Sequence, residues 1–435
     1  MIKLFQFKFL AYNNLIMKLL KAVFMVMLML AIYSSCTNEN TIDNSNVEQA
    51  NVPLSAEGNI IPGQFIISIS EELIKPAIHQ VDQESFRTRE EKGATMEALK
   101  IDVEASIRDF LAQIDISDDE ILAIYSVLDA GAALKISDEK YEKLINTDGI
   151  VSVEYDRKVN LPDFTVESID EPGQNRAQTT PCGITNAGGF VNASQSRWIW
   201  VVDTGIDLDH ADLNVVTNTT YAKSFVGGSA NDCNVHGTHC AGTAAAINNN
   251  IGVVGVASNA PVVPIRVLNC SGSGSTSGII SGLNHIATYD FAGDVVNMSL
   301  GGYYGSNCAN GSSYRTAVKN LGNSGTRVAI AAGNSAANAA FYQPACINNT
   351  RVYTISSMTC GKSFSSFSNY NMNPVDYIAT GSSVYSTYLN GGYATLSGTS
   401  MATPHVAGIC QVRNNAPRKV GNVFNRGENY PIAKR

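Results

Sequence analysis

Ser400 stands in Gly398-Thr399-Ser400-Met401-Ala402-Thr403-Pro404-His405, where a Gly-Thr turn runs into small residues and a proline. Proline is tolerated in the first turn of a helix, where its missing N–H leaves nothing unpaired. Ser400 is therefore expected at or just before a helix N-terminus, whose free N–H groups and partial positive charge favour an anion forming nearby. A serine alone is a weak nucleophile and needs a base; by itself this one reads equally well as a helix cap. Two further motifs offer partners. Asp203 ends the apolar run 198–202, ahead of Thr204-Gly205, and His236 opens His236-Gly237-Thr238-His239-Cys240-Ala241-Gly242-Thr243. An imidazole can take the serine proton while a carboxylate fixes its tautomer and stabilises its cation. Asn334 closes Ala331-Ala332-Gly333-Asn334. Its amide can donate to the oxyanion of a tetrahedral intermediate, beside the backbone N–H of Ser400. The chemistry this set points to is acyl transfer through a serine.

The elements that must hold these residues follow from the pattern around them. From about residue 181, short apolar runs alternate with helical segments. Residues 198–202, 262–268, 295–298, 328–332 and 352–355 read as buried strands, and 235–246, 276–288, 314–321 and 400–410 as helices. Such alternation predicts an α/β domain, a doubly wound, mostly parallel sheet with helices on both faces. Sites in these sheets form outside the carboxyl ends of the strands, which is where Asp203, His236 and Ser400 fall.

At 435 residues the chain is longer than one ordinary domain. The net charge of −8 argues against a nucleic-acid partner. Residues 1–36 read as an export signal, with the true start expected at Met17, a basic stretch, and an apolar run too short to span a bilayer. Two readings fit its end: lipidation of Cys36, as in bacterial lipoproteins, or a plain signal cut near Cys36. Export implies an oxidising compartment for the remaining cysteines, and secretion or retention in the cell envelope. Residues 37–58 form a polar linker. Residues 59–160 are a small α+β unit, with strands at 63–69, 121–127, 132–136 and 150–155, a helix over 96–114, and a helix start at Ser137. Residues 161–177, with Pro162, Pro172 and Gly173, read as a second linker ahead of a domain spanning 178–435.

Val201-Val202-Asp203-Thr204-Gly205-Ile206-Asp207, His236 to Thr243, and 398–408 resemble the three signature motifs of subtilisin-like serine proteases, most nearly the proteinase K and aqualysin branch. The resemblance covers roughly 178–412. It implies a subtilisin-like fold, peptide-bond hydrolysis by Asp203, His236 and Ser400, and an oxyanion hole at Asn334. Ser299-Leu300-Gly301-Gly302 resembles one wall of the family's specificity pocket and Ala331-Ala332-Gly333 the other. Gly272-Ser273-Gly274 resembles the edge segment that pairs with extended substrate, a mode carried by main-chain hydrogen bonds. Small pocket walls imply an endopeptidase of broad specificity, preferring apolar or aromatic residues on the acyl side of protein and peptide substrates. Residues 59–160, notably Gly149 to Asp156, resemble the family's ferredoxin-like propeptide, implying a folding aid and intramolecular inhibitor. Self-cleavage is then expected near 175–180, since Thr180-Pro181-Cys182-Gly183-Ile184 resembles the start of mature enzymes; any lipid would stay with the propeptide, and the mature enzyme is expected to be monomeric.

Other roles weigh less. His236 and His239 have the spacing of metal ligands, but no third ligand is apparent, and no metal is expected in the site. His405 lies a turn past the nucleophile, and Asp207 and Asp209 read as pairing or capping residues. Cys240 is expected as a buried free thiol. Cys233–Cys270 matches an aqualysin-type bridge and Cys346–Cys360 is expected as a second; Cys182, Cys308 and Cys410 stay unassigned. No cofactor is expected for the chemistry. A structural calcium, common in the family, is weakened here because Thr359 stands near the expected aspartate ahead of Ser366-Phe367-Ser368-Asn369, and a neutral hydroxyl is a poorer calcium ligand. The chain also ends early after Ser400, so the family's late elements are expected to be partly missing. A rival to the enzyme is a catalytically silent binding scaffold; the intact Asp203, His236, Ser400 and Asn334 argue against it.

Overall fold

The computed structural model describes residues 59–74, 86–170, 177–305, 308 and 312–435. The expected export signal, the 37–58 linker and Cys36 lie outside the described residues.

Alternating apolar residues form β1 (Ile60–Ile69), which buries Phe65, Ile67 and Ile69. Helix α1 (Arg89–Gln113) follows, capped by Thr88, whose side chain accepts from Glu91 N. It starts well before residue 96, and packs Val103, Ile107 and Leu111 against the sheet. Then come β2 (Ile121–Tyr125), β3 (Gly131–Lys135), α2 (Asp138–Leu144), N-capped by Ser137, and β4 (Ile150–Asn160). Strand β1 pairs antiparallel with β3 on one side and β4 on the other. This βαββαβ order is the ferredoxin-like motif.

The expected linker after it is in part a strand, β5 (Thr165–Asp170). Its residues are mostly polar and exposed, so no apolar alternation betrays it; its partner is far away in the chain.

The second half is built on a nine-stranded sheet. The buried runs become β6 (Ile199–Asp203), β7 (Val262–Arg266), β9 (Val295–Met298), β10 (Arg327–Ala331), β11 (Val352–Met358) and β12 (Val375–Thr380), with the short β8 (Ser273–Ser275) standing outside it. In space the order runs β12-β11-β10-β9-β6-β7, all parallel, and the two-residue strand Lys223–Ser224 adds to β7. Parallel strands covered on both faces read as continuous apolar runs, and Ile199, Trp200, Val201 and Val202 are all fully buried. Helices α3 (His236–Ala245), α4 (Thr276–Tyr289), α5 (Ser313–Asn323) and α6 (Thr399–Arg413) pack around the sheet. Strands β13 (Val384–Thr387) and β14 (Tyr393–Ser397) form an antiparallel pair just before α6. Residues 414–435 hold no helix among the described residues, yet they are not loose. They make a hairpin, β15 (Arg418–Asn425) and β16 (Glu428–Lys434), and β16 extends the sheet beside β12.

Among the described residues three disulfides are formed. Cys233–Cys270 is as expected, but Cys346 and Cys360 are not partners: the bridges are Cys182–Cys360 and Cys308–Cys346. The short helix Cys182–Asn186 lies against the turn after β11, where Asn186 Nδ2 donates to Cys360 O at 3.1 Å, so Cys360 meets a residue 178 positions away. Cys240 and Cys410 are free and buried. Replacing Cys182 and Cys360 together by Ser is expected to lower stability by about 2–4 kcal/mol. The measurement is the denaturant midpoint at constant m-value; an unchanged midpoint would contradict the bridge.

Candidate active site

Asp203 is the last residue of β6, and its backbone carbonyl accepts from Val267 N and Leu268 N beyond the neighbouring β7. The carboxylate is fully buried; Oδ1 accepts from Thr204 N at 2.8 Å. His236 is the first residue of α3 and donates Nδ1–H to Asp203, with Nδ1 2.9 Å from Oδ1 and 3.0 Å from Oδ2. The helix can approach this closely because Gly237 has no side chain: a Cβ there would lie 2.1 Å from Gly205 O.

The turn into α3 is strained. Val235 has φ 121°, a conformation a β-branched residue rarely adopts. Asp232 holds it: Oδ1 accepts from Asn234 N and Val235 N, while Oδ2 accepts from the backbone and hydroxyl of Thr238. The sequence reading missed Asp232. An aspartate four residues before the motif histidine was its one visible signal.

Ser400 lies in the first turn of α6, fully buried, and its hydroxyl donates to Ser299 O at 3.1 Å. His236 Nε2 is buried and has no hydrogen-bond partner among the described residues. The imidazole is therefore oriented by the carboxylate, and its second nitrogen is left available as an acceptor.

Asn334 follows β10 through Gly333, whose φ of 102° suits glycine. Asn334 Oδ1 accepts from Thr399 N at 2.8 Å and Thr399 Oγ1 at 2.7 Å. These bonds to the residue before Ser400 fix which way the amide faces. Nδ2 then donates to Asp163 O at 2.7 Å. Asn369 supports this loop, accepting from Ser335 N and Ala337 N and donating to Ala332 O; its role too went unread.

The chain's own segment thus runs through the site. On one side β4 pairs antiparallel with β8, Ser273 opposite Asn160 and Gly274 opposite Val159, and Leu161 N donates to Gly272 O at 2.9 Å. On the other side β5 pairs antiparallel with β14, Thr165 opposite Ser397. Between them, the Phe164 ring lies over His236 with centroids 5.0 Å apart. The Asp163–Phe164 peptide bond is held by strand addition on both flanks, its carbonyl on the Asn334 amide.

The pocket-wall segments sit around the same loops. Ser299 and Leu300 are buried, Ser299 Oγ donates to Ser400 O at 2.9 Å, and Gly302 pairs with Gln343; Ala331 and Ala332 are buried at the end of β10. The other histidines are otherwise engaged. His239 Nε2 faces Val384 O and Ala394 O, and burial, aided by His236, pushes its pKa down to about 3. His405 Nδ1 faces Met401 O on its own helix, and burial lowers it to about 4. Cys240 Sγ donates to Ser400 O at 3.4 Å, and burial, with the Asp203 charge, raises its pKa well above the usual thiol value. A thiol so held is not a nucleophile. Among the described residues the one tight His/Cys/acid group is Asp203, His236 and Cys240; the carboxylate and imidazole there already satisfy each other. Asp207 accepts from Gly391 N, a capping contact. In the turn at Thr359 the hydroxyl accepts from Ser363 N and the carbonyl from Lys362 N.

The subtilase family model matches residues 196–417. An extracellular serine proteinase of Thermus sp. (strain Rt41A) is 33% identical over 351 residues, 80% of this chain and 79% of the relative. The cuticle-degrading protease of Metarhizium anisopliae is 34% identical over 305 residues, 67% of this chain and 74% of its own. Thermitase of Thermoactinomyces vulgaris is 40% identical over 234 residues, 52% of this chain and 77% of its own.

Proposed function

The chain belongs to the subtilase family and is a serine endopeptidase, and from that premise we propose that Asp203, His236 and Ser400 are its catalytic triad and that it is made as a self-cleaving zymogen. Ser400 turns its hydroxyl from Ser299 O to His236 Nε2, which takes the proton as Oγ attacks the carbonyl carbon. Asp203 holds the imidazole tautomer and stabilises its cation. Asn334 Nδ2 and Ser400 N–H hold the oxyanion. His236 then protonates the leaving amine, and water, activated by the same base, releases the acid from the acyl-enzyme.

One observation carries the zymogen reading: the Asp163 carbonyl accepts from Asn334 with paired strands on either side. Residues 59–163 are then the prodomain, and Asp163–Phe164 is the first bond cut. Trimming near 175–180 follows as a separate step, since Gln178 and Thr179 donate to Asn250 O and Gly252 O instead of reaching Ser400. The small walls built by Ser299 to Gly302 and Ala331 to Gly333 suit apolar or aromatic groups on the acyl side. Asp163 puts a carboxylate there, so the first cut is slow beside later ones. Export to the cell surroundings is supported by relatives named extracellular; lipidation of Cys36 would tether the prodomain alone.

The test is to express residues 37–435 and sequence the new termini over time. The first is expected at Phe164. A first terminus elsewhere, with Asp163–Phe164 still joined, would refute this order of events. Asn334→Ala should slow both self-cleavage and peptide hydrolysis by roughly 10²–10³-fold, chiefly in kcat. An unchanged kcat would remove Asn334 from the oxyanion hole.

A further inference from the structure

Strands β13, β14 and β5 form a small sheet of their own, in that order. The outer strand, β5, comes from the segment ahead of the catalytic half, and its departure leaves the edge of β14 open. An open strand edge carries unpaired N–H and C=O groups and accepts an extended chain. The pairing runs from Thr165 opposite Ser397 to Asp170 opposite Tyr393. With Asp163–Phe164 as the bond at Ser400, it covers the second to the seventh residue after that bond.

Main-chain bonds carry no sequence, but two side chains of β5 are also held. The register slips between Val166–Leu396 and Ser168–Thr395, so Glu167 is the extra residue of a bulge. A bulge re-aims the side chain it carries, and the Glu167 carboxylate accepts from Ser397 Oγ. Ser397 is buried, and its Oγ itself accepts from Ser383 N at 2.7 Å, which leaves its proton for β5. Three positions on, Asp170 Oδ2 accepts from the Tyr385 hydroxyl of β13 at 2.5 Å. The Tyr385 ring lies beside Tyr393 of β14, with centroids 5.9 Å apart. Val166 and Ile169, by contrast, are 44% and 53% exposed. The edge therefore presents hydroxyl donors at the fourth and seventh positions and leaves the third and sixth to solvent.

We infer that this edge is an extended substrate subsite of the mature enzyme. It binds up to seven residues beyond the cut bond, and Ser397 and Tyr385 select carboxylates at the fourth and the seventh. In the uncut chain β5 occupies it as a built-in ligand, and the site opens when residues 164–170 are trimmed away. The substrates it favours are extended peptides with acidic side chains three residues apart on the amine side of the cut. Neither hydroxyl touches the reacting atoms, so the preference falls on KM more than on kcat. The numbering of the positions rests on the proposed cleavage at Asp163–Phe164.

The test gives the matured wild-type protein two peptides, identical through the cut bond, with phenylalanine on its acyl side and seven residues beyond it. One peptide has Glu at the fourth and Asp at the seventh of these, the other Gln and Asn. Mass spectrometry identifies the bond cut, and kcat/KM is compared. The acidic peptide should be cut roughly tenfold faster or more, a few-fold for each charged over a neutral hydrogen bond. With peptides changed at one position, Ser397→Ala should erase the preference at the fourth and keep that at the seventh. Tyr385→Phe should do the reverse. Equal kcat/KM for the two peptides on the wild type would overturn the inference. So would failure of a self-processed chain to cut either. The wild-type comparison decides even where a variant does not fold. A first terminus other than Phe164, beside an intact acidic preference, would refute the cleavage order and leave the subsite standing.

Discussion

The Ser400→Ala chain should accumulate as one uncut polypeptide with no measurable peptide hydrolysis. Loss of the nucleophile costs about 10⁶-fold in kcat, a magnitude established on a subtilisin relative and not on this chain. The substitution removes only the hydroxyl bond to Ser299 O, so the fold should survive, and unchanged circular dichroism would show that it does. Both readouts matter, because hydrolysis and self-cleavage are assigned to one site. Processing at the wild-type rate would mean that another protease makes the cut. A residual activity within tenfold of wild type would remove Ser400 from the nucleophile's role.

Asp203→Asn should lower kcat by roughly 10⁴-fold while KM changes little. The amide can keep the Thr204 N bond through its oxygen. Its nitrogen would then stand where Oδ2 is, 3.0 Å from His236 Nδ1. An amide N–H donates where Oδ2 accepts, which favours the imidazole with its proton on Nε2, a tautomer that cannot accept from Ser400. A drop of less than tenfold would show that the carboxylate does not set the tautomer.

The three residues of the proposed triad were legible because each sits in a motif whose local demands are unusual. Gly237 and the Gly-Thr turn before Ser400 are needed for close approach, and Asp203 breaks an apolar run. What stayed hidden depends on partners distant in the chain. Strand β5 has polar, exposed residues and exists because β14 pairs with it. Helix α1 begins at Arg89 and not near residue 96: Arg89 and Lys92 are buried through ion pairs, which no apolar spacing records, while the Thr88 cap ahead of Glu90 and Glu91 is a local signal that went unread. Cys182 and Cys360 are joined across most of the catalytic half, so counting cysteines could not match them. The hairpin at 418–434 adds to the edge of β12, a partner that no local pattern names.

The pairing of β5 with β14 has a consequence for how the first cut proceeds. In the proposed self-cleavage, with Asp163 esterified to Ser400, the new amino group on Phe164 would not diffuse away; Thr165, next along, is held opposite Ser397. A tethered amine next to an ester can act at a very high effective molarity, so it competes with water for the acyl carbon. Under that proposal joined and severed forms would interconvert by aminolysis and its reverse, and shortening the tail beyond β5 would make the reaction one-way.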